Sequence, residues 1–408
     1  MSERRCNVFS SVKKQESKII FICWLAYTAA YVGRLNFSAS NVAIIDALNA
    51  SKPEVGLVSS FFFFAYGAGQ LINGILSKHY NAKYMVCGSL AVSSVLNLMM
   101  PLCADVALMK YIWLINGAAQ SVLWSTLIKT LSEFVSDKKL PSAILAMSTT
   151  VAIGTLVSYG IAAIFARIGV WQAVFYVASA ILAVAAVIWV SLFGPSKKKS
   201  VEADAIKPEK VKMTKAVGFA LILAAIAGIA NGFIKDGITT WVPSVLYEEF
   251  GLTKSFSILL TLFLPMVSTL GATIAKKTHE KIKTHATMNM IFFAVAALLC
   301  TGIIFSLRIH SLPAIMICFI GVSCTMAMVN NVITSMFALD YRRSLNAGFA
   351  AGLLNTFCYI GSTTTTYVLG SVSQSSGWNA VFIIMLAVCI TACVICLAGL
   401  AAERKGKN

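Results

Sequence analysis

The sequence predicts an all-α membrane protein: twelve transmembrane helices arranged as two pseudo-symmetric six-helix bundles. Three observations carry that expectation. Apolar stretches of about 20 residues or more recur along the whole chain, the length a helix needs to cross a hydrocarbon core. The composition agrees, with 58% hydrophobic and 12% charged residues and a mean hydropathy of +0.80. A single polar, basic stretch, Pro195 to Lys215, divides the apolar runs into six before it and six after it. A membrane barrel would instead show alternating segments of about ten residues, and the sequence has no such pattern.

Residues 1–18 are polar and basic, a cytoplasmic N-terminal segment. The first span, 19–48, is too long for the core of a signal peptide, and no small-residue cleavage site follows it. It is therefore expected to stay in the mature protein. Spans at 54–77, 84–103, 106–134, 141–168 and 170–193 complete an N-terminal bundle over 19–194. In hydrocarbon each backbone polar group must be satisfied within its own segment, so every span is read as a helix. The stretch 195–215 holds Ser196-Lys197-Lys198-Lys199-Ser200 and Pro208-Glu209-Lys210-Val211-Lys212. It is too polar to pack or to span, so it reads as a solvated cytoplasmic linker. The second set of spans runs at 216–247, 253–276, 284–307, 311–340, 343–373 and 377–400, a C-terminal bundle over 216–400, and 401–408 is a cytoplasmic tail. The longest spans imply tilt or extension beyond the bilayer.

The net charge of +17 suggests nucleic acid until its distribution is read. The N-terminus, the even-numbered connections and the C-terminus together hold 25 of the 33 Lys and Arg residues. The opposite side holds five: Lys52, Lys110, Arg167, Lys254 and Arg308. The other three, Arg34, Lys129 and Lys235, lie within spans. This is the positive-inside asymmetry, which puts both termini in the cytoplasm and removes the nucleic-acid reading. The 11 cysteines are scattered without paired spacing and read as small apolar packing residues. The four histidines, His79, His279, His285 and His310, fall near span ends and form no metal-binding spacing. No phosphate-cradling Gly-x-x-x-x-Gly-Lys loop is present, so neither an ATP-driven pump nor a cofactor is expected, and no catalytic constellation appears.

The two halves carry traces of a repeat. Trp171-Gln172-Ala173-Val174-Phe175 opens the sixth span, and Trp378-Asn379-Ala380-Val381-Phe382 opens the twelfth, 207 residues later. Arg34 and Lys235, 201 residues apart, sit at matching depths of the first and seventh spans. Spans 3, 6, 9 and 12 are the least polar, whereas charged and amide residues concentrate in spans 1, 2, 4, 7, 10 and 11.

Arg34 is the strongest candidate for binding chemistry. A charge at that depth costs roughly 2.5 kcal/mol or more on insertion, and guanidinium presents a planar fork that matches two phosphate or carboxylate oxygens. Tyr27 and Tyr31 precede it by seven and three residues, which places all three on one helical face. The alternative for Arg34 is a structural role, bound to carbonyls or to an acid of a neighbouring helix. Lys235 would add a compact point charge. Asp236 follows it directly, but adjacent helical side chains diverge by about 100°, so three options stand for Asp236: neutralising Arg34, neutralising Lys235, or facing a polar neighbour. Lys129, four residues before Glu133, is accounted for by an i,i+4 pair and snorkelling. Gln120, Trp124, Asn330, Asn331, Asn355 and Tyr359 are cavity-lining candidates, each equally suited to hydrogen bonding between helices.

Tyr27-Thr28-Ala29-Ala30-Tyr31-Val32-Gly33-Arg34-Leu35-Asn36-Phe37-Ser38 resembles the first helix of the organophosphate:inorganic phosphate antiporters, a family with the major facilitator fold. Further similarities follow in order: Ala65-Tyr66-Gly67, Gln120 with Trp124, Trp171-Gln172-Ala173, Lys235-Asp236-Gly237-Ile238 with Trp241 and Pro243, Tyr359-Ile360-Gly361-Ser362, and Gly377-Trp378. The resemblance implies that Arg34 and Lys235 flank a phosphate, with Tyr27, Tyr31, Gln120 and Tyr359 lining the same site. It also implies a bacterial cytoplasmic membrane. The chain departs from the family at Val151, where the glycerol-phosphate type has histidine. It departs again at Gly232, where a tyrosine is expected, and at Ser77-Lys78-His79, where an acidic residue is usual.

The function expected on these grounds is exchange of a phosphorylated small metabolite for inorganic phosphate by alternating access across the lipid bilayer. A monomer suffices, because both cations come from one chain. Two alternatives stand beside it: a proton-coupled carrier of another organic anion such as a phosphonate, and a sugar-phosphate sensor that binds without transport.

Overall fold

The computed structural model describes residues 2–76, 81–194, 215–282, 284–341 and 347–405. The linker stretch 195–214, the Ser77-Lys78-His79 departure and the arginines at 342 and 343 lie outside them. Among the described residues every regular element is a helix. In the first half these are α1 (Ser2–Leu48), α2 (Lys52–Leu76), α3 (Ala82–Met99), α4 (Val106–Gln120), α5 (Leu123–Phe134), α6 (Leu140–Arg167) and α7 (Gln172–Leu192). In the second half they are α8 (Lys215–Phe250), α9 (Lys254–Thr261), α10 (Phe263–Lys281), α11 (His285–Arg308), α12 (Leu312–Asn331), α13 (Phe337–Asp340) and α14 (Ala347–Lys405). Among the described residues eleven helical segments are long and apolar enough to cross a membrane.

The expected spans and these helices differ where local chemistry interrupts the ladder. The fourth span is two helices, α4 and α5, parted at Ser121. The Ser121 hydroxyl donates to the Ala118 carbonyl at 2.7 Å and accepts from Asn73 Nδ2 at 2.9 Å, and such back-bonding competes with the helical hydrogen bonds. The eighth span breaks after Thr261 because Pro265 has no N–H for the Thr261 carbonyl, and its ring crowds that oxygen. Between α12 and α13 a π-helical turn, Val332–Met336, carries the chain on. The last apolar segment, Ala350–Leu400, is 51 residues long. It is interrupted at Gly377, whose φ of 78° and ψ of 174° only glycine adopts at low cost.

Among the described residues the buried apolar side chains form three clusters. One buried cluster draws on residues from Ala220 to Cys396, including Trp241, Phe293, Phe319 and Trp378. Two others draw on the first half: one around Phe37, Tyr66, Trp113 and Phe175, the other around Tyr27, Leu123, Met147 and Trp189. From the second half, buried Ile258 joins the former, and Leu262 and Tyr359 pack against it. Large apolar side chains such as Phe64, Leu145 and Leu298 stay 62%, 70% and 73% exposed, the outward face expected of a helix in lipid.

Two contacts position the central site. α8 and α14 approach closely at a reciprocal pair of glycines. A Cβ on Gly232 would lie 1.8 Å from the Cys358 carbonyl oxygen, and one on Gly361 would lie 1.9 Å from the Ile229 carbonyl oxygen. This closeness explains the departure at position 232, since no tyrosine fits there. The second contact arises from Pro243 inside α8. Proline cannot donate to the Thr239 carbonyl, and the Tyr159 hydroxyl from α6 donates to that oxygen instead, at 3.1 Å. A helix kink in one half is thereby capped by a side chain of the other.

Candidate functional site

Arg34 lies within the apolar part of α1, 6% exposed. Its Nε donates to Gln120 Oε1 at 3.2 Å, and Gln120 Nε2 donates to Asn116 Oδ1 at 3.3 Å. Asn116 Nδ2 then donates to the Gly33 carbonyl at 3.1 Å, next to Arg34 itself. Asn97 Nδ2 donates to the same carbonyl at 3.2 Å, and Asn36 Nδ2 donates to Asn97 Oδ1 at 2.7 Å. A closed circuit of amides on α1, α3 and α4 thus fixes the rear of the guanidinium. Aromatic rings enclose its sides: Cζ lies 4.6 Å from the Tyr31 ring centre, 4.3 Å from that of Tyr66 and 5.4 Å from that of Phe62. Cation–π contact of this kind lowers the cost of a buried charge. Nη2 remains buried with no hydrogen-bond partner.

The tyrosines on the same face of α1 are where the spacing predicts. Tyr27 meets Tyr31 edge-on at 5.2 Å between ring centres and Trp124 at 5.0 Å. From the second half, Tyr359 on α14 lies 4.8 Å from Tyr66 and 6.1 Å from Phe63. Arg34 is within electrostatic reach of Tyr27, Tyr31, Tyr66 and Tyr359.

Lys235 stands on α8, and its Nζ lies 3.5 Å from Asp236 Oδ1. The two adjacent side chains therefore do pair, despite diverging from the helix. The lysine stem is long enough to fold back, and Asp236 Oδ2 also accepts the Ser362 hydroxyl hydrogen from α14. Of the three options for Asp236, two are realised: it neutralises Lys235 and faces a polar neighbour. Lys235 is within electrostatic reach of Tyr31, the ring that also packs against Arg34. The Lys235 side chain is 36% exposed and that of Asp236 14%.

The structure thus brings Arg34, Tyr27, Tyr31, Gln120, Tyr359, Lys235 and Asp236 into one region of α1, α4, α8 and α14. The other cavity candidates divide. Asn355 Nδ2 donates across the halves to Gln70 Oε1 at 2.7 Å, and Gln70 Nε2 donates to the Tyr66 hydroxyl at 3.0 Å. Asn330 Oδ1 accepts from Asn231 Nδ2 at 3.3 Å, and Asn331 Nδ2 donates to the Ala327 carbonyl of its own helix. Sequence reasoning missed the place of Tyr66, which it met only in the family-like stretch Ala65-Tyr66-Gly67, and the supporting amides Asn97 and Asn116. Their signal is an amide in an apolar run, common to every helix contact in a membrane. It also missed His279, His285 and Asp340, which three separate helices bring together.

Comparison with known proteins agrees with this fold. Residues 23–366 match the family model of the Major Facilitator Superfamily. The glycerol-3-phosphate transporter of Bacillus subtilis is 23% identical, over 94% of this chain and 92% of that one. A probable hexose phosphate transport protein of Chlamydia trachomatis is 21% identical, over 95% and 92%. The membrane sensor protein UhpC of Escherichia coli is 20% identical, over 90% and 88%. Among solved structures, a bacterial homolog of the human lysosomal transporter Spinster, inward-facing and unoccupied, superposes with a TM-score of 0.81. It does so at 13% identity, over 96% of this chain and 98% of that one. The chain belongs to the Major Facilitator Superfamily, and its likeness within it is to the organophosphate:phosphate antiporter family, as the motifs of the first and seventh spans imply.

Proposed function

We propose that this chain is a secondary transporter that exchanges a phosphorylated small organic metabolite, of the sugar-phosphate or glycerol-phosphate type, for inorganic phosphate by alternating access. The observation that carries this reading is the pair of cations. Arg34 of the first half is buried with Nη2 unpartnered, and Lys235 of the second half is, like Arg34, within electrostatic reach of Tyr31. A phosphate group carries about −1.5 to −2 charges at neutral pH, which the two cations together balance. The Arg34 fork takes two phosphate oxygens, Lys235 a third, and the hydroxyls of Tyr27, Tyr31 and Tyr359 hydrogen-bond the remainder, with Gln120 holding Arg34 in place. In the unloaded protein Asp236 satisfies Lys235; substrate displaces that carboxylate and leaves it on Ser362. One cation from each half means that a bound anion draws the halves together, which favours reorientation of the loaded carrier.

The same reading sets the topology. The 51-residue segment is two spans meeting at Gly377, which brings the count to twelve. The bundles are then 19–194 and 216–400, joined by the linker 195–215. The excess of Lys and Arg on one side supports cytoplasmic termini, in a bacterial cytoplasmic membrane. The unit is a monomer, with inorganic phosphate and lipid as its other partners.

The test is exchange in proteoliposomes loaded with phosphate. Uptake of labelled phosphate that requires internal phosphate, is inhibited by one or two phosphorylated metabolites and is abolished in Arg34→Ala is the expected result. Wild-type rates in that variant would refute the site. Uptake driven by a proton gradient without internal phosphate would point instead to a proton-coupled organic anion carrier. The sensor relative favours one further reading, a protein with the same binding site and no flux; binding without exchange in correctly inserted protein would select it.

A further inference from the structure

His279 lies in the last turn of α10, His285 opens α11 and Asp340 closes α13. One ligand atom from each lies within 4.8 Å of the other two, the one such His, Cys, Asp or Glu group found among the described residues. Asp340 Oδ2 is 3.0 Å from His285 Nε2 and 3.3 Å from His279 Nε2. Ligand atoms on a tetrahedral ion at about 2.0–2.1 Å stand about 3.3 Å apart, which the two separations from Asp340 match, and all three atoms fall within 4.8 Å of one another.

The orientation adds a second, independent observation. His285 is 8% exposed, and its Nε2 is buried without a hydrogen-bond partner although the carboxylate oxygen is 3.0 Å away. The nitrogen is near the oxygen but not aligned with it, the relation shown by two donors that point at a third atom. The rings are held in place. His279 and His285 lie 5.5 Å apart between centres, and Phe337 and Tyr341 pack against His285 at 5.5 and 5.9 Å. The Asp340 side chain is 45% exposed and that of His279 26%, which leaves an ion a path in from solvent.

We propose that His279, His285 and Asp340 form a binding site for a divalent transition-metal ion, with zinc the ion the ligands suit best. Two imidazoles and one carboxylate make a three-ligand zinc set with one position left for water. A calcium or magnesium site would be built from oxygens. Bound there, the ion ties the ends of three helices next to the π-helical turn Val332–Met336, and so braces that end of the second half.

The test uses full-length protein purified without a polyhistidine tag, stripped of metal and titrated with zinc chloride. Bound zinc is counted by mass spectrometry, and thermal unfolding is followed in the same samples. One zinc per chain, a saturable rise in melting temperature and no response to calcium are expected. His285→Gln and Asp340→Asn should each weaken zinc binding about ten-fold or more, while His310→Gln leaves it unchanged. If His285→Gln does not fold, His279→Gln on the solvent side makes the same comparison. Equal zinc uptake by wild type and the ligand variants, or no stoichiometric uptake at micromolar zinc, would overturn the site.

Discussion

Arg34 shows how a single charge is made tolerable in a membrane and kept usable. Its Nε is satisfied by Gln120, its plane is enclosed by Tyr31, Tyr66 and Phe62, and its Nη2 is buried without a hydrogen-bond partner. The support matters as much as the charge. Gln120→Leu leaves Nε buried and unsatisfied, a loss of about 1–3 kcal/mol, and frees Arg34 to turn away from the site. The expected outcome is phosphate exchange with KM raised about ten-fold or more and protein levels near normal; a KM equal to wild type in proteoliposomes would show that Gln120 does not hold Arg34. Much of this was legible in the sequence. A cation in an apolar run needs a reason, so Arg34 and Lys235 stood out at once, and i,i+4,i+7 spacing brought Tyr27 and Tyr31 to the same face. Gln120 and Tyr359 were named among many polar groups, and the resemblance singled them out. Tyr66, Asn97 and Asn116 could not be distinguished, because a partner on another helix, not the residue type, gives them their role. The Lys235–Asp236 pair was undecided for a related reason: helix geometry separates adjacent Cβ atoms, but a four-carbon stem can fold back across that gap.

The helices follow hydropathy closely, and their interruptions follow local chemistry. Pro265 and Pro243 were visible in the sequence, and each marks a place where a carbonyl loses its helical donor. What the sequence could not reveal is the substitute, such as the Tyr159 hydroxyl that takes the Thr239 carbonyl across the two halves. The break at Ser121 was likewise hidden, because serine is ordinary in a span until its hydroxyl finds a neighbour such as Asn73. Close approach was also hidden. Gly232 read as a departure from the family, yet it lies where α8 and α14 approach too closely for a side chain. Gly232→Ala places a methyl 1.8 Å from the Cys358 oxygen, and a backbone carbonyl cannot step aside without moving its helix. Overpacking of that kind costs about 1–3 kcal/mol, so the variant should melt several degrees below wild type in detergent, with Gly228→Ala, where the nearest atoms stand at 3.3 Å or more, close to wild type. Equal melting temperatures for Gly232→Ala and wild type would contradict the close contact.

Across the whole molecule, the ion pairs that join the two halves gather, among the described residues, at the end where α1 meets α2. Lys52 pairs with Glu248 at 2.5 Å, and Asp46 pairs with Lys254 and accepts from the Tyr247 hydroxyl. Glu248 also accepts from Trp378 Nε1 at 2.9 Å. These contacts tie the two halves together at that end. Exposed pairs are worth about 0.2–1 kcal/mol each and weaken with salt, which would suit a closure that opens in each cycle of the carrier proposed. The double variant Asp46→Asn with Glu248→Gln should therefore shift the conformational balance a few-fold toward opening there, read as a longer distance between spin labels on α2 and α8. An unchanged distance distribution would place the closure elsewhere. The pairing of Lys235 with Asp236 has an electrical consequence for a carrier that works as proposed. The pair carries no net charge, so the unloaded binding region presents only the single positive charge of Arg34 to the membrane field. Moving one charge through 100 mV is worth about 2.3 kcal/mol. Return of the unloaded carrier would then respond to voltage, whereas one-for-one exchange of two equally charged phosphates would move no net charge and proceed at the same rate in an energised or a depolarised cell.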